Sequence, residues 1–112
     1  MSTQFPPLAV VIPAAGIGKR MKATVAKQYL TLNGKSILEN TIEVFLELPF
    51  VQKVVVVLSP DDTFFEELAV STHHKLVTVR GGKERVNSVF NGVDYLSQQG
   101  IEWVMVHDAA RP

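Results

Sequence analysis

The chain has 112 residues, 46% of them apolar, no cysteine and no net formal charge. That length suits one domain, which would bury roughly two-thirds of its unfolded surface. The composition excludes disulfides, thiolate metal sites and cysteine nucleophiles, and it is too apolar for a disordered chain. The charge is unevenly placed: residues 1–38 hold five basic residues and no acid, and the remainder holds six basic and eleven acidic residues. A local +5 on a neutral chain points to a small anionic ligand, whereas a nucleic-acid binder more often carries a broad basic face.

The N-terminal stretch MSTQFPPLAVVIP lacks the basic flank of a signal peptide, and its apolar run LAVVIP (8–13) reads as a buried strand. No apolar run nears the roughly 20 residues of a membrane span. A cytoplasmic domain is therefore expected. The segment SILENTIEVFLEL (36–48) opens with Ser36 and Glu39 at capping-box spacing. Ile37, Leu38, Ile42, Phe45 and Leu46 then share one helical face, and Pro49 marks its end. KVVVVLS (53–59) is a second buried strand. Ser59, Pro60, Asp61 and Asp62 predict a capped short helix with Phe64, Phe65, Leu68 and Ala69 on its apolar side. KLVTVR (75–80) is a third strand, and Gly81-Gly82 a turn. A helix follows with Val86, Val89, Phe90, Val93 and Leu96 as its expected core stripe and Gly100 beyond its end. EWVMVH (102–107) is a fourth strand. His73-His74 reads as an exposed turn, and Trp103 as core or edge packing.

Apolar strands alternating with helices predict an α/β, Rossmann-like, mostly parallel sheet with helices on both faces. The expected strand order is 3-2-1-4, with right-handed crossovers. Ligands bind such sheets beyond the carboxyl ends of the strands, near the switch between strands 1 and 4. The loops after residues 13, 80 and 107 meet there, and they hold the unusual residues. The chain stops at Pro112 just after the fourth strand, so a sheet truncated at that strand and an absent C-terminal half are expected.

The first loop fits neither familiar phosphate motif. Gly16-Ile17-Gly18-Lys19-Arg20-Met21 lacks the third glycine of a dinucleotide fingerprint, and no Walker A pattern exists. Its chemistry still suits phosphate or, failing that, a solvated basic loop. Small residues at 14, 15, 16 and 18 let backbone N–H groups approach an anion. Arg20 offers a planar fork and Lys27 a point charge.

Together PAAGIGKRM, AKQYLTLNGKSILENTI, GGKERVNSV and VHDAARP resemble the cytidylyltransferases that make 4-diphosphocytidyl-2-C-methyl-D-erythritol. These belong to the glycine-rich nucleotidyltransferase superfamily. The resemblance runs from about Val10 to Pro112, and implies that residues 1–112 are a single CTP-binding, N-terminal part of a nucleotidyltransferase domain. It implies cytidylyl transfer from CTP to 2-C-methyl-D-erythritol 4-phosphate, Mg²⁺ as cofactor, and a homodimer at full length, with no nucleic acid or membrane as partner. By resemblance, Ala14, Ala15, Gly16 and Gly18 cradle the nucleotide, and Arg20 and Lys27 are catalytic. Gly81, Gly82, Arg85 and Ser88 hold base and ribose. Asp108 helps hold magnesium, Ala109 leaves room for ligand, and Arg111 lies near the acceptor phosphate. Ala26, where the family often has proline, and Lys83, where some members have an acid, depart from the pattern. Two rivals remain: a ribitol-5-phosphate cytidylyltransferase and, for these 112 residues by themselves, a nucleotide-binding module without turnover.

Overall fold

The computed structural model describes residues 8–15, 31–32, 35–60, 62, 65–82 and 84–108. Four parallel strands form the sheet: β1 (Leu8–Ala14), β4 (Val51–Leu58), β5 (Leu76–Arg80) and β6 (Trp103–Val106). Their order is β5-β4-β1-β6, the predicted 3-2-1-4. Val10 lies opposite Val54 on β4 and Met105 on β6, which fixes the register of the central strand. β1 and the middle of β4 are buried on both faces, as their unbroken apolar runs require.

Between β1 and the first helix lies a small hairpin that the apolar pattern does not reveal. β2 (Thr31–Leu32) pairs antiparallel with β3 (Lys35–Ser36). Asn33-Gly34 sits between them, a dipeptide favoured in two-residue hairpin turns, and this was the available signal.

Helix α1 (Ile37–Leu46) covers one face of the sheet. Leu38, Ile42, Phe45 and Leu46 are buried against Val10 and Ile12 of β1 and Val54 and Val56 of β4. Thr41 is buried as well; its Oγ1 donates to the Ile37 carbonyl at 3.1 Å, which satisfies the hydroxyl inside the helix.

The short helix expected after β4 is instead two 3₁₀ turns, Phe65–Glu67 and Ala69–Thr72, split by an extended Leu68. Hydroxyl side chains explain the interruption. Ser71 Oγ donates to the Glu66 carbonyl at 3.2 Å and Thr72 Oγ1 to the Ala69 carbonyl at 3.3 Å, drawing carbonyls away from an α-helical ladder. Ahead of these turns, Asp62 Oδ1 accepts the Phe65 N–H at 3.0 Å, and the Ser59 carbonyl accepts the Asp62 N–H at 3.0 Å. Phe65 and Val70 are buried against the α1 side of the sheet. At the next turn the His73 and His74 rings stack 4.5 Å apart, and His73 Nδ1 accepts the Lys75 N–H. His74 is exposed and His73 half-buried.

Helix α2 (Arg85–Gln98) covers the opposite face, but the expected core stripe does not. Val86, Phe90 and Val93 are 68%, 65% and 36% exposed. Ser88, Gly92 and Leu96, spaced four apart, face the sheet instead. A Cβ on Gly92 would lie 2.7 Å from Val11 Cγ1, so the helix backbone rests almost directly on β1. This closeness requires small residues on the inner face and turns the bulky ones outward. Leu96 alone of the expected stripe is fully buried, beside Ala9, Val11, Val55 and Val57. The helix ends as predicted. Gly100 has φ 80°, its N–H donates to the Ser97 carbonyl, and the Ile101 N–H donates to the Leu96 carbonyl.

Strand β6 lies at the edge of the four-stranded sheet. Trp103 is 57% exposed there, so its position is that of an edge residue and not of core.

Candidate functional site

The carboxyl ends of β1, β5 and β6 meet on one rim of the sheet, because parallel strands all point the same way. At the centre of that rim, β1 runs into Ala14 and Ala15, both buried. Beyond β5 the chain turns at Gly81-Gly82 into α2. The Gly81 N–H donates to the Leu58 carbonyl at 2.7 Å, which draws this turn inward over the end of β4.

Gly81 is where space is tightest. A Cβ there would lie 2.4 Å from Ala15 Cβ, 2.7 Å from Ser88 Oγ and 3.2 Å from Val57 Cγ1. Only glycine fits, because any Cβ there would strike the side chains packed around it. Gly82 is confined by its neighbour, since a Cβ there would lie 2.4 Å from Asn87 Cβ. Asn87 Oδ1 in turn accepts the Glu84 N–H at 3.2 Å, which ties the turn to the start of α2. Ser88 is one turn into that helix, 2% exposed, and its hydroxyl has no hydrogen-bond partner among the described residues. A buried hydroxyl left without a partner is costly. Beside a bare glycine backbone, it suits a polar ligand group.

Beyond β6 the third segment completes the rim. The His107 N–H donates to the Val11 carbonyl at 3.0 Å, extending the β1–β6 ladder by one bond. Asp108 is the next residue, half-buried.

Ala15, Gly81 and Ser88 are packed together at the carboxyl end of the sheet, with Ala14 ending β1, Gly82 following Gly81 and Asp108 following β6 at that same end. Arg85 opens α2, with its side chain outside the described residues. Gly16, Gly18, Arg20, Lys27, Ala109 and Arg111 also lie outside them.

Two residues at the rim escape sequence reasoning. Asn91 Nδ2 donates to the Arg80 carbonyl at 3.0 Å and so pins the strand end that feeds the glycine turn. His107 Nδ1 lies 2.9 Å from the Asp108 carbonyl. Neither belongs to a periodic pattern; a polar residue ending an apolar strand was the sole hint of His107.

No three His, Cys, Asp or Glu side chains converge among the described residues, which leaves no protein-built metal cage there. A single hard carboxylate such as Asp108 suits magnesium, which is commonly held by one or two carboxylates with phosphate and water supplying the rest.

The family model for 2-C-methyl-D-erythritol 4-phosphate cytidylyltransferase (IspD) matches residues 8–112. A cytidylyltransferase of that name from Vibrio atlanticus is 51% identical over 113 residues, covering 100% of this chain and 48% of the relative. One from Aliivibrio fischeri is 51% identical over 106 residues, covering 94% of this chain and 44% of the relative. Among solved structures, the Francisella tularensis enzyme of the same name superposes with a TM-score of 0.71 at 38% identity, over 95% of this chain and 45% of that one. A 4-diphosphocytidyl-2C-methyl-D-erythritol synthase superposes with a TM-score of 0.76 at 31% identity, over 96% and 47%. The chain thus spans about half the length of the relatives it matches. With the glycine turn, the buried serine and the rim aspartate in place on a sheet of the same form, the chain belongs to the 2-C-methyl-D-erythritol 4-phosphate cytidylyltransferase family.

Proposed function

We propose that these residues form the CTP-binding part of an enzyme that transfers a cytidylyl group from CTP to 2-C-methyl-D-erythritol 4-phosphate, in non-mevalonate isoprenoid precursor synthesis. The corner of Gly81, Ala15 and Ser88 carries this reading. It sets a partly exposed glycine turn beside a buried hydroxyl that has no partner among the described residues, at the rim where parallel sheets take ligands. The relatives, named for this reaction, support the choice of nucleotide and acceptor.

In the reaction, an oxygen of the acceptor's 4-phosphate attacks the α-phosphorus of CTP. The new P–O bond forms as the bond to the β-phosphate oxygen breaks, and that electron pair leaves with pyrophosphate. In-line placement and neutralisation of phosphoryl charge are the main demands. The backbone of Ala14 to Gly18 cradles the triphosphate. Arg20 and Lys27 balance the charge on the five-coordinate phosphorus, and Arg85 and Arg111 contribute along the nucleotide and the acceptor phosphate. Ala109 leaves room beside Asp108. Magnesium, held by Asp108 and phosphate oxygens, would supply further charge neutralisation. No protein nucleophile is required, which agrees with a chain that has no cysteine.

One observation favours a narrower reading for this stretch by itself. The relatives are about twice as long, so these residues without the remainder bind Mg-CTP weakly and turn over little. At the relatives' length, a homodimer in the cytoplasm is the expected form.

The test is pyrophosphate release by a chain of the relatives' length that carries these 112 residues. Release that needs CTP and 2-C-methyl-D-erythritol 4-phosphate, and collapses in Arg20→Ala and Gly81→Val, is the expected result. Release with ribitol 5-phosphate alone would move the enzyme to another pathway. CTP binding with no release for either acceptor would leave a binding module.

A further inference from the structure

The geometry points to His107 as a positioning residue for Asp108: its ring, wedged against Phe45, donates from Nδ1 to the Asp108 carbonyl and so directs the carboxylate toward the rim. The proposal rests on the reading of Asp108 as the magnesium-holding carboxylate.

Three contacts hold His107. Its N–H donates to the Val11 carbonyl at 3.0 Å, which anchors it to β1. Its ring meets the Phe45 ring edge-on, with centroids 5.2 Å apart and planes at 67°. Phe45 belongs to the buried α1-side core, only 8% exposed, so the imidazole leans on a fixed wall. Its Nδ1 lies 2.9 Å from the Asp108 carbonyl oxygen. A carbonyl only accepts, so Nδ1 carries the proton. Side chains alternate along a strand. Val104 packs on the α2 side, and His107, of opposite parity, turns toward α1. The ring therefore ties the first residue beyond the sheet to the core beneath it. Groups that orient a metal ligand from behind commonly set metal affinity without touching the ion.

The test is CTP binding by this chain, by calorimetry, with and without Mg²⁺. The variants are D108N, H107F, H107N and H107Q. Asn places its amide N–H close to the position of Nδ1; Gln places it near Nε2; both lose the ring equally. Phe keeps the ring and loses the donor. In H107F and H107Q the gain in CTP affinity produced by Mg²⁺ falls about 10-fold, while H107N stays within about twofold of the parent. Metal-free CTP binding is unchanged in all three. The Asp108 carbonyl ¹³C resonance, read without metal, shifts upfield in H107F and H107Q and stays near the parent value in H107N.

A full magnesium gain in both H107F and H107Q, or an equal loss in H107N, would overturn the positioning role. If H107F fails to fold, the Asn and Gln forms still decide, because both lack the ring and carry the same amide at different reach; if H107Q fails, H107F against H107N still compares a lost donor with a kept one. A magnesium gain that survives D108N, or no gain in the parent, would overturn the metal reading of Asp108 and the positioning role with it.

Discussion

The two faces of the sheet are covered in opposite ways. α1 packs through bulky side chains, Leu38, Ile42, Phe45 and Leu46, and stands off from the strands on a thick apolar layer. α2 packs through Ser88, Gly92 and Leu96, and lies close enough that a Cβ at Gly92 would strike Val11. The first arrangement maximises buried apolar surface. The second gives up some of that burial to bring a helix start, with Ser88 on its inner face, within touching distance of Gly81 and Ala15. One face supplies stability, and the other builds the rim. The cost is visible: Val86, Phe90 and Val93 face outward.

Substitutions that break this contrast should follow a graded series. Phe45→Ala should have the largest effect, a loss of about 3–5 kcal/mol in urea unfolding, since it empties a buried aromatic site in the thick face. A loss under about 1 kcal/mol would show that α1 is not the stabilising layer. Gly92→Val comes next. Its branched side chain would meet Val11 and Val57. Overpacking of this kind costs about 1–3 kcal/mol. The helix must lift to relieve it, carrying Ser88 away from Gly81, so CTP affinity should fall along with stability. Unchanged CTP affinity in a destabilised Gly92→Val chain would separate the close packing from the site.

Asn91→Ala should cost about 0.5–1.5 kcal/mol, the net worth of its bond to the Arg80 carbonyl. It should also loosen the Gly81 turn, read as faster amide exchange at Gly81. Phe90→Ser should do least to the fold, within about 0.5 kcal/mol, because the ring is mostly in solvent. The same change should raise solubility, measured as the highest concentration of monodisperse chain. A large destabilisation by Phe90→Ser would mean that the outward stripe has a structural partner in solution.

Much of this was legible in the amino-acid order because burial imposes periods. Unbroken apolar runs marked β1 and β4, and the spacing of Leu38, Ile42 and Phe45 marked the inner face of α1. The alternation of strands and helices placed the Gly81-Gly82 turn and the start of the next helix at the carboxyl end of the sheet. The failures share a cause. Counting apolar residues assumes that bulk faces inward, and on α2 two of the three inward positions, Ser88 and Gly92, are small. The cap and the aromatic residues after β4 predict one helix, while the hydroxyls of Ser71 and Thr72 bond to carbonyls in two 3₁₀ turns. His107 and Asn91 act through single hydrogen bonds, and a single bond leaves no period to read.

The sequence by itself determined the alternation of strands and helices, the parallel order of the four strands, and which segments would meet at their carboxyl ends. These follow from patterns that backbone geometry makes regular. Tertiary structure alone decided how near each helix lies, which side of α2 turns inward, and which polar groups lock the rim. Those depend on distances of closest approach between residues far apart in the chain, as Gly92 against Val11 and Gly81 against Ala15 demonstrate, and no local pattern encodes them.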